Sequence, residues 1–133
     1  MVKAYWSIGK LIVEAQNGEE KAEYGEFIIK NLSKELTTDF GKGFTASNLR
    51  NIRQFYLTFN NRYALRSELS WTHYRYLMRV EDEKKRDFYI DECIKSNWST
   101  RQLERQKIQR KLTKKLCLYI LIFVFICIYY STS

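Results

Sequence analysis

Hydrophobic positions recur at three- and four-residue intervals almost from the first residue of this chain, and that spacing predicts helices. Tyr5, Ile8, Leu11, Ile12 and Ala15 set the period of a first helix. Gln16–Glu20, which contains Asn17-Gly18, reads as a turn. A second helix is expected from about Lys21 to Phe40, with Tyr24, Ile28, Leu32, Leu36 and Phe40 as its apolar stripe. Gly41 then stops it, as glycine does past a helix C-terminus. A third helix opens after Thr45, whose hydroxyl is placed to cap an orphan amide of the first turn. Leu49, Ile52, Tyr56 and Phe59 line one of its faces.

Asn60-Asn61 breaks the pattern, and Ala64–Leu69 is a short helical piece or a loop. Ser70 caps a compact run with Trp71, Tyr74, Leu77 and Met78 at helical spacing. The acidic junction Val80–Asp82 leads into a fifth helix to about Ser96, with Tyr89, Ile90, Cys93 and Ile94 inward. Asn97-Trp98 is a turn with a buried anchor. Ser99 and Gln102 have the spacing of a capping box, and the helix from Thr100 is expected to run to about Lys115. No segment alternates as a strand does. The expected fold class is all-α: a small multi-helix domain of helix-turn-helix type over residues 1–112, about six helices, followed by an apolar tail over residues 113–133.

That tail is a second kind of pattern. Leu116–Tyr130 is fifteen residues without a charge. As a helix it spans about 22 Å, short of the ~30 Å hydrocarbon core of a bilayer. Lys114 and Lys115 on one side and Tyr129 and Tyr130 on the other are the flanks a membrane segment uses. The alternatives are a marginal transmembrane segment and a core helix or strand.

Charge changes the picture more than bulk composition does. The formal net charge is +8 over 133 residues, enough to ask about an anionic partner. Residues 42–66 hold Lys42, Arg50, Arg53, Arg62 and Arg66 with no acid, and residues 98–115 hold seven bases against Glu104 alone. The segments 1–41 and 67–97 are slightly acidic. Two separated positive blocks suggest a binding footprint rather than an evenly mixed solvated surface.

The first block coincides with the third helix. Its polar side carries Ser47, Arg50, Asn51 and Gln54, side-chain types that hydrogen-bond base edges. Lys42, Arg62 and Arg66 are the expected phosphate contacts, and Thr45, Asn48 and Arg53 complete the polar positions of the turn and helix. In the second block Arg101, Arg105, Lys107 and Arg110 would extend the footprint. Helix, glycine turn and basic-faced helix together read as helix-turn-helix, with duplex DNA as the expected partner.

Catalytic chemistry is not expected. Glu83-Lys84-Lys85 is a bare E-x-K in a charged helix start, and the adjacent Asp91 and Glu92 do not share a helix face. His73, the lone histidine, sits beside the Trp71/Tyr74 stripe and reads as a packing or capping residue. Gly41-Lys42-Gly43 lacks the rest of a phosphate-binding loop. Cys93, Cys117 and Cys127 form no CxxC pair, so neither a metal site nor a cofactor is expected, and reduced cytoplasmic thiols are the reading. Met1–Gly9 lacks the features of a signal peptide.

From Tyr5 to Gln106 the chain carries, in order, YWSIGKLIVE, AEYGEFIIKNLSKELTTDFGKGFTASNLRNIRQFY, ALRSELSWTHYRYLMRVED and FYIDECIKSNWSTRQLERQ. This block resembles the N-terminal domain of the YhcG-like family of PD-(D/E)XK nucleases, catalogued as a domain of unknown function. The resemblance implies a helix-turn-helix DNA-binding module placed ahead of a C-terminal nuclease domain. The GKGFTASNLRNIRQFY, LSWTHYRYL and WSTRQLE pieces are also similar to the helical DNA-binding core of ParB-type partition proteins. The chain departs from the family pattern in having only four residues before Tyr5 and in passing from RQLERQ into lysines and the apolar run. A frameshift or premature stop, with the tail as out-of-frame translation, is one expectation for that departure. A non-catalytic DNA-binding module is therefore the leading expectation. The alternatives are a module that docks a nuclease or other partner protein, a homo-oligomer, and a basic adaptor anchored to a membrane by its tail.

Overall fold

The computed structural model describes residues 1–16 and 22–132, and among these the chain is all-α with no strand. Six α-helices and one 3-10 turn follow in order: α1 (Val2–Gln16), α2 (Ala22–Phe40), α3 (Ala46–Thr58), the 3-10 turn Arg62–Ala64, α4 (Trp71–Leu77), α5 (Glu83–Lys95) and α6 (Thr100–Ser131). The expected Gln16–Glu20 turn lies, beyond Gln16, outside the described residues. Of Ala64–Leu69, only Ala64 is in the 3-10 turn, and the rest is loop up to α4.

Helix starts follow local chemistry. Thr45 accepts the Asn48 amide, Ser70 the His73 amide, Asp82 the Lys85 amide and Ser99 the Gln102 amide. At Ser99 the Gln102 side chain reaches back to the cap amide at 2.7 Å, which completes the capping box. His73 does the same at Ser70: its Nδ1 accepts the Ser70 amide at 3.2 Å. Nδ1 as acceptor leaves the proton on Nε2, which donates to the Trp98 carbonyl at 2.8 Å. The histidine is thus a cap and a tie between α4 and the turn before α6.

The α5 end is a Schellman turn. Asn97 takes a left-handed φ of 49° and the Trp98 amide donates to the Cys93 carbonyl at 3.0 Å. Gly41, with φ of 89°, ends α2 in the same region of backbone space.

Two apolar clusters hold the helices together. One gathers Ile12, Ile29, Leu49 and Ile52 from α1, α2 and α3. The other gathers Trp6, Phe55, Leu69, Tyr74, Leu77, Met78, Tyr89, Cys93 and Leu103, reaching from α1 to α6. Trp71 bridges them, its ring 4.9 Å from Tyr5 and 5.2 Å from Phe55, centroid to centroid. α1 lies so close on α3 that a Cβ at Gly9 would come within 2.5 Å of the Ile52 carbonyl oxygen and 2.9 Å of the Tyr56 Cβ. The Trp6 indole donates to the Phe59 carbonyl at 2.6 Å and satisfies an orphan group at the end of α3.

Three expectations are corrected. The α2 stripe is not the strict four-residue ladder: Ile29 is the buried residue, whereas Tyr24 and Phe40 at its ends are exposed. Steps of four residues advance about 400° on a helix, so such a ladder drifts roughly 40° per step and cannot face one core over sixteen residues. On α3, Phe55 is fully buried with Leu49 and Ile52, while Tyr56 and Phe59 are only half-buried. At about 100° per residue, Leu49 and Phe55 flank Ile52 symmetrically. Finally, α6 does not end near Lys115. No glycine or proline interrupts it, and it continues unbroken to Ser131 through the apolar run.

Candidate nucleic-acid interface

The turn between α2 and α3 is built before it can bind anything. Ser33 Oγ on α2 donates to the Phe44 carbonyl at 2.8 Å, and Asn48 Nδ2 on α3 donates to the Gly43 carbonyl at 2.7 Å. Phe44 packs edge-on to Phe40 and Tyr5. Thr45 and Asn48 therefore spend their polar groups on shaping the turn, while Lys42 stands exposed at its tip.

On α3 the outward face carries Ser47, Arg50 and Gln54, all exposed. Asn51 and Arg53 lie on its two shoulders and are half-buried. Gln54 Nε2 donates to Thr58 Oγ1 at 3.2 Å along the same face. Arg50 forms an ion pair with Glu26 of α2, its guanidinium donating to both carboxylate oxygens. That bond, more than the Coulombic attraction of Arg50 and Lys30, holds the Glu26 carboxyl below the usual range, and it raises Arg50 in return. Arg53 donates to Gln16 Oε1 of α1, and Gln16 Nε2 donates to the Gly25 carbonyl of α2 at 3.0 Å. Arg50 on the outward face and Arg53 on a shoulder thus tie the helix to α2 and α1.

After α3 the chain presents Arg62, Tyr63 and Arg66. Both arginines are exposed, and Tyr63 is 97% exposed between them. The buried Tyr74 hydroxyl pins this segment by accepting the Arg66 amide at 2.7 Å. Burial pushes the Tyr74 phenol above its usual range, so it stays protonated. Tyr63 is the exposed side chain that helix periodicity does not single out, because it stands in the 3-10 turn outside every apolar stripe.

The second basic block divides in two. Arg101 and Arg105 are exposed near the start of α6. Lys107 instead turns inward and donates from Nζ to the Tyr76 carbonyl of α4 at 2.9 Å. Burial first, then the Lys111 and Arg79 charges, lower Lys107 below the ordinary lysine range. Arg110 lies over the Phe88 ring at 4.1 Å and the Tyr89 ring at 5.5 Å. These two cations border a separate open groove of about 650 Å³ between α6 and the α4–α5 junction. The structure thus gathers Lys42, Ser47, Arg50 and Gln54 on the turn and α3, and directs Lys107 and Arg110 elsewhere.

Among the described residues no three His, Cys, Asp or Glu side chains converge on a metal position. Glu83 sits in the first turn of α5, its lysine neighbours exposed. Burial, with Glu92 nearby, pushes the Cys93 thiol up to about 11, so it stays protonated and inert at neutral pH.

Residues 1–115 match the DUF1016 N-terminal domain. The chain belongs to this family. The match ends one residue before the apolar run at Leu116. A protein of Escherichia coli (strain K12) described as "Putative nuclease YhcG" is 34% identical over 139 aligned positions, which cover 80% of this chain and 37% of that protein. This DUF1016 chain therefore spans little more than a third of that relative's length. No solved structure matches it.

Proposed function

We propose that this DUF1016 N-terminal domain binds duplex DNA as a helix-turn-helix module and contributes no catalytic group of its own. The observation that carries the reading is α3 itself. Its inner face is wholly buried through Leu49, Ile52 and Phe55, and its outer face exposes Ser47, Arg50 and Gln54 inside an acid-free stretch of sequence. A rigid helix with donors and amides aimed outward is what direct readout of the major groove uses. Lys42 at the turn, with Arg62 and Arg66 after the helix, supplies phosphate contacts on either end of it. Arg101 and Arg105 lengthen that footprint. The relative's description as a nuclease agrees with a nucleic-acid ligand, and in this reading the domain positions a cutting activity rather than performing it.

The test is an Arg50→Ala/Asn51→Ala variant whose circular dichroism matches wild type. Loss of a bidentate base contact weakens specific binding by about 1–3 kcal/mol. If that folded variant binds duplex DNA as tightly as wild type, α3 is not a recognition helix.

A protein-docking role has one observation of its own: Leu11 on α1 and Phe27 on α2 are 65% and 58% exposed. Phe27→Glu would then abolish a partner or self-association complex while leaving DNA binding unchanged. A DNA-binding loss in that variant would argue against a separate docking face.

A further inference from the structure

α6 leaves the protein core early. Leu103 is its single buried residue, and from Leu112 onward every described residue is exposed. An 18-residue window of this helix has a mean hydropathy of 2.0 and none of it is buried. The apolar side chains Leu116 to Tyr130 cover all sides of the helix rather than one stripe, so a single groove on a partner protein would leave most of them in water. A helix that is apolar all round is stable either inside a large core or across a bilayer, and an interfacial helix would need a polar face that this one lacks.

The charged end of the same helix says what lies beside it. Lys111, Lys114 and Lys115 fall within about 8 Å of Leu116 along the helix axis, the thickness of one headgroup layer at ~5–8 Å. At that level Lys111 and Lys114 of α6, with Lys107 about 14 Å from Leu116, face Arg79 and Lys85 of the α4–α5 junction across the 650 Å³ groove, whose acids are Glu81 and Asp82. Bases outnumber acids there, and the groove opens beside the point where the apolar run begins. Tyr129 and Tyr130 stand at the far end, where an aromatic belt sits. The run is short for a full hydrocarbon core, a mismatch that local bilayer thinning and lysine snorkelling absorb.

From these features we infer that residues 116–130 of α6 insert across a lipid bilayer and that the Lys111–Lys114 end of this groove lies against the anionic headgroups of the leaflet on the domain side. The DNA-facing surface of α3 is not used, so this inference stands independently of DNA binding. The positive collar places the helical domain on the side where bases are retained, the cytoplasmic one.

The experiment takes the full chain, purified in non-ionic detergent, and removes the detergent in the presence of phosphatidylcholine vesicles with or without phosphatidylglycerol. Insertion makes the chain float with both vesicle types through a density gradient and resist alkaline carbonate. Cys127, exposed in the free chain, becomes closed to a membrane-impermeant maleimide. An Ile120→Lys/Phe123→Lys variant, which touches no core residue, is expected to lose carbonate resistance. It keeps a salt-reversible attachment to phosphatidylglycerol vesicles only. Adding Lys111→Gln, Lys114→Gln and Lys115→Gln to it weakens that attachment by about 100-fold, at ~5-fold per lysine. A wild-type chain that stays at the bottom of the gradient, as a tail-to-tail oligomer or aggregate, overturns insertion. Attachment indifferent to phosphatidylglycerol or to the lysines overturns the headgroup assignment.

Discussion

α3 and α6 begin alike and end differently. Each starts at a hydroxyl cap, and each lies in one of the two positive blocks. α3 buries three residues in thirteen and is tied at Arg53 to Gln16 and at Arg50 to Glu26, so it stands on a fixed frame. α6 buries one residue in thirty-two, and beyond the exposed Arg101 and Arg105 its cations either fold back onto α4 and α5 or lead into an apolar run. A capped basic helix is therefore not a functional unit by itself. In the proposed reading, what its other face packs on decides whether its charges form a reading surface or a collar.

Deletions of apolar side chains should separate the two helices most sharply. Phe55→Ala in α3 is expected to destabilise the domain by about 3–5 kcal/mol, and Leu103→Ala at the root of α6 by about 2–5 kcal/mol. Ile120→Ala, further along α6, should change unfolding of the helical domain by no more than ~0.5 kcal/mol. Chemical denaturation in detergent measures all three. An Ile120→Ala effect equal to that of Leu103→Ala would mean that the run packs on the domain after all.

Caps come next. Thr45→Ala and Ser99→Ala should each cost about 1 kcal/mol, but Thr45→Ala should disturb DNA binding more, because Thr45 shapes the turn before α3 while Ser99 precedes only the outlying Arg101 and Arg105. Equal effects of the two on DNA affinity would erase the distinction between the helices.

The smallest expected effect is the most specific to α3. Glu26→Gln removes the partner of Arg50, so duplex DNA no longer competes with a carboxylate and affinity should rise a few-fold at neutral pH. Because the pair lowers the folded-state pKa of Glu26 below 4.5, its support for α2–α3 packing is present above about pH 4.5 and disappears as pH falls through that lowered value. Acid titration of stability should show this step in wild type and not in Glu26→Gln. An unchanged DNA affinity in the variant would leave Arg50 as an α2–α3 tie alone.

Much of this was legible in the sequence wherever the cause is local. Hydroxyl caps, the Gly41 stop and the Asn97-Trp98 turn depend on residues within one or two turns of each other. His73 could be read as a packing or capping residue from its place beside the Trp71/Tyr74 stripe, and its bond to Ser70, three residues back, makes it a cap. What could not be read depends on distant chain. Glu26 lies 24 residues from Arg50 and Gln16 lies 37 from Arg53, so a polar face that looks free in sequence is partly engaged in space. Lys107 finds its carbonyl 31 residues away, on α4. The change of composition at Leu116 suggested a structural boundary, yet the backbone has no reason to break there, because lysine and leucine are both strong helix formers.

The most direct measurement of DNA binding is its salt dependence. The full chain, held in uncharged detergent micelles, would be titrated against a fluorescent duplex over a series of salt concentrations. Wild type should lose affinity linearly on logarithmic axes, and Lys42→Ala/Arg62→Ala/Arg66→Ala should bind more weakly with a slope smaller by about 3. A salt-insensitive affinity, or a folded triple variant with the wild-type slope, would contradict DNA binding at the α2–α3 turn and α3.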